Sequence, residues 1–239
     1  MTLRPGSGLT LLLWVTLTLA GCRATEPTAP KGSPTDKPQL ALLTTLPIVF
    51  GEGFGIDVPT HAVLSALSRD YRVRPVDGPG ELPEGGLLLA AQPRALTAER
   101  LVALDAWVRR GGRILLLADP RLVWPSERPL GDRFRPPLSF DDTGLLLHWG
   151  LRMSVADGPA QRRSLGARMV SGTSAGTLAA SSKACIITDG GWRADCRIGR
   201  GRAIVIADAD WLDPRQWGGD SAGPEQLGAL ADQLESLAK

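Results

Sequence analysis

The most regular feature of this chain is a series of short apolar runs separated by segments with helical spacing. Apolar residues dominate positions 40–50, 86–91, 113–119 and 203–208, and residues 71–77 alternate between apolar and polar. Unbroken apolar runs of this length are typical of strands that are buried on both faces of a sheet. We therefore predict five strands of a covered sheet.

Helical segments lie between and after these strands. Residues 59–70 and 97–110 place leucine and valine at helical spacing, and Thr97 is a good N-cap for the second segment. Residues 143–151 and 224–238 predict two further helices. Strands that alternate with helices indicate an α/β domain with a doubly wound, mostly parallel sheet.

The first 22 residues follow a different pattern. Arg4 precedes an apolar stretch at 9–19, which ends in Leu19-Ala20-Gly21-Cys22. This stretch is shorter than the about 20 residues that cross a bilayer, and the layout predicts a secretory signal peptide over residues 1–21. The last four residues resemble the lipobox of bacterial lipoproteins, which implies that Cys22 is acylated and becomes the mature N-terminus. The alternative is an ordinary signal peptide with an incidental cysteine.

The next segment, residues 22–38, contains four prolines together with threonine, lysine, glycine and serine. Such a composition cannot bury apolar area, so we predict a lipidated, solvated tether. Residues 39–239 then form a single α/β domain, long enough for a full core. The formal net charge of +2, with charges of both signs mixed along the chain, gives no indication of nucleic-acid binding.

Two cysteines of the domain flank a predicted β-hairpin. A tight turn at Gly190-Gly191 places Asp189 opposite Trp192 and Cys185 opposite Cys196. Cysteines in that position are within reach of a disulfide bond, which an exported protein is expected to form. A longer turn, or two buried free thiols, are the alternatives.

Two stretches resemble a known family. One, at 87–120, has a helix followed by Gly111-Gly112-Arg113 and a strand that ends in Asp119-Pro120; the other, at 199–212, has a Gly-x-Gly-Arg strand that ends in Asp208-Ala209-Asp210. Both resemble the extracytoplasmic domain of gliding-motility-type auxiliary proteins of ABC transporters. The resemblance implies a flavodoxin-like or class I glutamine amidotransferase-like sheet, here with the hairpin inserted. Many relatives add transmembrane helices, whereas this chain would be anchored by lipid.

Acidic residues stand where the predicted strands end. Ligands of open α/β sheets bind beyond the carboxyl ends of the strands, so these residues form a candidate crevice for a cation or a polyol. An aspartate at a strand end also commonly caps a helix or holds a turn, which is the competing interpretation. The candidate crevice residues are Glu52, Asp57, Asp77, Asp119, Asp208 and Asp210.

Two kinds of nucleophile are disfavoured by the sequence. In amidotransferases the catalytic cysteine follows a strand that 113–119 resembles, but Pro120 and Arg121 stand after Asp119 here. Residues 172–176 match the G-x-S-x-G nucleophile elbow by letters. Both histidines precede Ser174, whereas the base of an α/β-hydrolase follows its serine, so a small-residue loop is the better interpretation.

Tryptophan is unusually frequent, with seven copies beside one tyrosine. Four of them fall in predicted loops, turns or strand ends, and exposed aromatic side chains can anchor a protein partner. Partial burial at a domain edge is the alternative. The candidate partner surface consists of Trp124, Trp192, Trp211 and Trp217.

From these features we predict no catalytic residues, no bound metal and no cofactor. We predict an envelope lipoprotein that is an accessory or binding component of an ABC-type transport or envelope system. It would face the periplasm, and Arg23 after Cys22 favours the outer membrane. The alternative is a periplasmic hydrolase or carbohydrate-acting enzyme that uses the acidic crevice.

Overall fold

The structure is a computed structural model that describes residues 37–52, 59–155, 161–219 and 223–239. Its helices are α1 (Ala62–Asp70), α2 (Ala98–Arg109), α3 (Leu145–His148) and α4 (Gly223–Ala238). Its strands are β1 (Gln39–Thr44), β2 (Arg72–Pro75), β3 (Leu87–Ala91), β4 (Arg113–Leu117), β5 (Leu151–Ser154), β6 (Gln161–Leu165), β7 (Arg168–Gly172), β8 (Thr177–Ala180), β9 (Cys185–Thr188), β10 (Arg193–Ile198) and β11 (Gly201–Ile206).

A seven-stranded sheet forms the centre of the domain, in the order β2-β1-β3-β4-β11-β10-β9. The first five of these strands are parallel, and β10 and β9 complete the edge in antiparallel pairing. The α/β class and the mainly parallel sheet that the apolar runs predicted are therefore confirmed.

Apolar side chains leave the sheet in both directions and build two cores. Leu40, Leu89 and Leu115 pack on the face that α1 and α4 cover. Ile114 and Leu116 pack on the opposite face with side chains from α2 and α3. Because successive residues of a strand point to opposite faces, only an unbroken apolar run can supply both cores.

Two predicted elements are shorter than expected. Strand β1 ends at Thr44, whose hydroxyl accepts the N–H of Leu46 and donates to the carbonyl of Ala91, so the apolar residues that follow form a turn. The predicted helix at 143–151 stops at His148, because Gly150 adopts a φ of 81° and Leu151 begins β5.

The cysteine hairpin has the predicted register. Cys185 pairs with Cys196 and Thr188 pairs with Arg193, and a disulfide bond joins the two cysteines. The two-residue turn is wrong: Asp189–Gly191 forms a longer turn, with positive φ at all three residues. The hairpin is also an edge of the main sheet, since β10 pairs with β11.

Two small antiparallel sheets were not predicted. They pair β5 with β8 and β6 with β7. Their strands are short, and β6 carries polar residues where a buried strand would carry apolar ones. The sequence of this region therefore lacks the pattern that revealed the central strands.

The predictions for the signal peptide, for Cys22 and for most of the tether lie outside the described residues. No helix among the residues that the structure describes combines the length and the apolar character that crossing a membrane requires.

Candidate functional site

Three of the predicted crevice residues meet at the carboxyl edge of the sheet. Asp119 and Asp208 each stand two residues beyond the end of a strand, β4 and β11, and these two strands are paired neighbours. Asp210 follows on a short turn. Each of the three offers a carboxylate oxygen, and these oxygens lie within 4.8 Å of one another. We call Asp119, Asp208 and Asp210 the carboxyl cluster.

The carboxyl cluster holds two loops together. Asp119 accepts the backbone N–H groups of Arg121, at 2.8 Å, and of Ala209, at 3.0 Å. Asp210 accepts the N–H of Val123 at 3.0 Å. Asp119 thus reaches across to the loop after β11, and Asp210 reaches back to the loop after β4. The cluster has the turn-holding role that competed with the ligand interpretation.

Ser174 belongs to the same network rather than to a nucleophile elbow. Its side chain is buried, and its hydroxyl lies 3.0 Å from Oδ2 of Asp210 and also contacts the carbonyl of Arg121. A nucleophile elbow presents its serine to a substrate, whereas this hydroxyl is enclosed and donates within the protein. The sequence-based preference for a small-residue loop at 172–176 agrees with this geometry.

Gln92 is a site residue that the sequence analysis missed. It directly follows β3, is fully buried and has a φ of 44°, which is rare outside glycine. Its Oε1 accepts the N–H of Asp119 at 2.8 Å, and its Nε2 donates to the carbonyl of Asp119 at 3.2 Å. Gln92 therefore fixes the backbone of Asp119 from the neighbouring strand. Its position after an apolar strand was the available signal.

Burial dominates the electrostatics of the cluster. It raises the pKa of Asp119, raises that of Asp208 well above the ordinary value, and raises that of Asp210 to about 7. The charge of Asp119 raises the pKa of both other carboxyls, and a hydrogen bond between Asp119 and Asp210 favours a proton on Asp210. Two neighbouring carboxyls that share a proton behave in this way.

The chemistry open to the cluster follows from its enclosure. None of the three carboxyls has exposed surface, so a substrate in solvent cannot reach them. An open acidic crevice would require such access. Three carboxylates at this spacing are a donor set that suits a divalent cation. Without a cation, the three carboxyls can stay buried by holding protons, as their raised pKa values indicate.

The other crevice residues are not part of the cluster. Asp77 is exposed, and its backbone N–H is held by the carboxylate of Glu81. Glu52 lines a separate cleft, and Asp57 lies outside the described residues. The prediction of one continuous acidic crevice is therefore wrong for Glu52 and Asp77, because neither carboxylate joins Asp119, Asp208 and Asp210.

The predicted tryptophan surface is also wrong. The exposed fractions of Trp124, Trp192, Trp211 and Trp217 are 4%, 0%, 0% and 8%. The turns that carry these residues fold back onto the core, so large aromatic side chains fill the edge of the sheet rather than facing solvent. The alternative prediction was partial burial at a domain edge, and the structure buries all four side chains more completely than that.

A cleft of about 910 Å³ opens beside the carboxyl cluster. Its walls come from the loops that follow β1, β4 and β11 and from the start of α1. This is the edge at which α/β sheets commonly bind ligands. We call it the edge cleft; its lining residues are Pro47, Ile48, Val49, Phe50, Gly51, Glu52, Pro59, Thr60, His61, Leu64, Trp124, Pro125, Arg128, Phe134, Asp213, Pro214 and Arg215.

A layered arrangement of side chains forms the floor of the edge cleft. The ring of His61 stacks on that of Trp124 with centroids 5.9 Å apart, and the guanidinium of Arg215 lies 6.0 Å from the Trp124 ring. Nδ1 of His61 accepts the N–H of Val63 and so caps α1. Burial lowers the pKa of His61, which keeps the imidazole neutral as this cap requires.

The cluster and the cleft share their loops. Val123, which Asp210 holds, directly precedes Trp124, and the turn that begins at Asp210 leads to Arg215. Asp213 then binds the side chain of Arg215 at 2.9 Å. The hydrogen bonds of the carboxyl cluster thus fix the loops after β4 and β11, which form two walls of the edge cleft.

The sequence of residues 37–179, more than half of the chain, matches a family described as "ABC-type uncharacterized transport system". The chain belongs to this ABC transporter auxiliary family. No curated protein matches the chain in sequence.

Solved structures with a similar fold include an exo-beta-1,4-mannosidase, Op5Man5, from Opitutaceae bacterium strain TAV5. It has a TM-score of 0.54 and 14% identity, and the match covers 83% of this chain and 36% of the mannosidase, so the chain spans about a third of that enzyme. The N-terminal domain of mmIFT52 is similar over 85% of this chain and 98% of that domain, with a TM-score of 0.52 and 14% identity. Identities this low show a shared fold alone.

Proposed function

We propose that this member of the ABC transporter auxiliary family is a non-enzymatic, lipid-anchored component of an ABC-type transport system. The single observation that carries the proposal is the family match over residues 37–179. It points to association with a transport system. The anchor, the compartment and the absence of catalysis are finer statements that other observations support.

The lipid anchor rests on the N-terminal sequence. A short apolar stretch ending in Leu19-Ala20-Gly21-Cys22 resembles a lipobox. Acyl chains contribute roughly 0.8 kcal/mol for each buried CH₂, so two or three chains on Cys22 would hold the protein stably at a membrane. The proline-containing segment after Cys22 would then set the distance between membrane and domain. On this proposal the domain faces the periplasm, and Arg23 favours the outer membrane.

The anchor has a direct test. Cys22→Ala should move the protein from the membrane pellet to the soluble fraction, while Cys185→Ala should leave it in the pellet. Membrane retention of the Cys22→Ala variant would refute lipid anchoring at this residue.

A binding role is favoured over catalysis by the carboxyl edge of the sheet. The acids that would serve an enzyme are closed off from solvent, and Ser174 is engaged in a structural network. The carboxyl cluster therefore offers an enzyme no exposed pair of acids. The cleft beside the cluster is instead lined mainly by apolar side chains, as a binding site is.

The fold relationship is part of the same proposal. The order of the five parallel strands, β2-β1-β3-β4-β11, has the same pattern as the 2-1-3-4-5 order of flavodoxin-like sheets. This order supports a flavodoxin- or amidotransferase-like domain. The catalytic cysteine of amidotransferases has no counterpart at Pro120 or Arg121, which supports a fold reused for binding.

Association with a transport system can be tested by native gel electrophoresis of detergent-solubilised membranes. The protein should migrate in a complex far larger than its own 25.4 kDa and together with an ABC ATPase or permease subunit. Migration as a free monomer in every mild detergent tried would contradict the proposal.

A further inference from the structure

One tryptophan differs from all the others that the structure describes. Each of the others donates its indole N–H to an acceptor within the protein. Trp124 is just as buried, yet its Nε1 has no hydrogen-bond partner. An unpaired buried donor costs about 1–3 kcal/mol, so this N–H favours an acceptor supplied from outside. The tryptophans whose indole N–H has an acceptor, each given with that acceptor, are Trp107 (Pro83 carbonyl), Trp149 (Asp105 carboxylate), Trp192 (Ser164 carbonyl), Trp211 (Asp208 carbonyl) and Trp217 (Trp211 carbonyl).

A second unpaired atom belongs to the same cleft. Oε2 of Glu52 accepts the N–H of Glu127 at 2.8 Å, whereas Oε1 of Glu52 is buried and has no partner. Glu52 and Trp124 both line the edge cleft. The cleft therefore has one unsatisfied acceptor and one unsatisfied donor among its lining residues.

Most of the remaining lining is apolar and partly uncovered, and the charged side chains of Arg128, Asp213 and Arg215 lie beside it. Ile48, Leu64 and several prolines line the cleft, and two phenylalanines stand at it with large exposed fractions, 78% for Phe50 and 58% for Phe134. An inorganic anion or a sugar would leave these apolar surfaces without a partner. A peptide has an apolar side chain for the walls, a carbonyl for an indole N–H and an N–H for a carboxylate oxygen.

We propose that the edge cleft binds an extended peptide segment with an apolar side chain, contributed by a protein of the transport system. A backbone carbonyl of the segment accepts the N–H of Trp124, and a backbone N–H of the segment donates to Glu52. The apolar side chain packs against Phe50 and Phe134. The identity of the partner rests on the proposed function, whereas the peptide chemistry rests on the cleft alone.

Access to the two buried atoms requires a small movement at the cleft. Phe50 and Phe134 are mostly exposed, so they lose little packing when they shift. In this binding mode the two unpaired atoms gain hydrogen bonds to the peptide backbone, and the peptide side chain supplies apolar contact to the two rings. Peptide recognition by alternating backbone and side-chain contacts is a common mode of binding.

The probe is a phage-displayed library of random dodecapeptides, selected against the full-length protein in detergent. Selected peptides should share an aliphatic or aromatic position. Their affinity, measured by fluorescence anisotropy, should fall about tenfold or more in Phe134→Ser, because the apolar contact is lost. Glu52→Gln, which places an amide NH₂ or a weaker acceptor at the unpaired position, should weaken binding by about three- to tenfold.

Leu130→Ser is the matched control. Leu130 is 74% exposed on the same loop as Phe134 but does not line the edge cleft. It should leave the affinity unchanged, and circular dichroism should show all three variants folded. Failure to select any shared sequence, or selected peptides that bind Phe134→Ser and Glu52→Gln as tightly as the natural protein, would overturn the proposal.

A small-molecule site is a distinct outcome. Stabilisation of the protein by glucose or inorganic phosphate, without any selected peptide, would also overturn the proposal. Because the selection uses purified protein alone, its failure leaves the association with a transport system to be judged by the native gel.

Discussion

Replacing Asp210 by asparagine should remove a pH dependence from the stability of the domain. Burial raises the pKa of Asp210 to about 7 in the folded protein. In the unfolded chain an aspartate has a pKa of about 3.9. The folded state therefore binds the extra proton, and its stabilising contribution is complete below about pH 4 and is lost as the pH rises through 7.

The magnitude follows from the two pKa values. Integrating the proton linkage from pH 5 to pH 8 gives a loss of about 2–3 kcal/mol in the free energy of unfolding for this one group. Asparagine at 210 keeps a neutral donor toward Asp119 at every pH. Asp210→Asn should therefore be close to the natural protein in stability at pH 5 and about 2–3 kcal/mol more stable at pH 8.

Urea unfolding followed by tryptophan fluorescence, with a chelator present, measures this difference from pH 5 to pH 8. Burial lowers the pKa of His61, so that group withdraws stability as the pH falls below about 6.5. This effect occurs in both proteins and cancels in the comparison. Asp77→Asn, at an exposed site, should reproduce the natural profile. Parallel profiles for the natural protein and Asp210→Asn would refute the assignment of a proton to the carboxyl cluster.

Three further changes test the structural account. Replacing both Cys185 and Cys196 by serine should lower the free energy of unfolding by about 2–4 kcal/mol, and urea midpoints under non-reducing conditions measure the loss; an unchanged midpoint would count against the disulfide. Gly201→Ala places a methyl group against the backbone carbonyls of Val108 and Gly112, which are not free to move, so little folded protein should be recovered. Normal yield and melting temperature would show that Gly201 does not approach these carbonyls so closely. Ser174→Ala should cost about 1–2 kcal/mol because Asp210 loses a buried hydrogen bond, and a wild-type urea midpoint would remove Ser174 from the network.

Sequence periodicity predicted the centre of the main sheet well because β3, β4 and β11 are buried on both faces. The runs at 86–91 and 113–119 can be read as strands without knowledge of any contact, and paired strands then bring Asp119 and Asp208 together. The same reasoning failed for β6, whose polar residues resemble those of a loop. Short edge sheets are stabilised by what packs on them, which the local pattern does not contain.

The site was only partly predictable for a related reason. Strand ends indicate where Asp119, Asp208 and Asp210 lie, but whether they face solvent depends on how the loops fold back. The loops cover them, and the same folding buries Trp124 and Trp211. Gln92 could have been suspected only from a polar side chain after an apolar strand, and its positive φ is visible in the structure alone.

If the protein is an auxiliary component of an ABC-type transport system, its edge cleft should face another component of that system. Site-specific photo-crosslinking in cells tests it most directly, with a photoreactive phenylalanine at position 134 and, as control, at position 110 on the opposite edge of the sheet. Mass spectrometry should identify an ABC ATPase, permease or associated subunit crosslinked from position 134 and not from position 110. Equal capture from both positions, or no transport-system protein from either, would contradict the account.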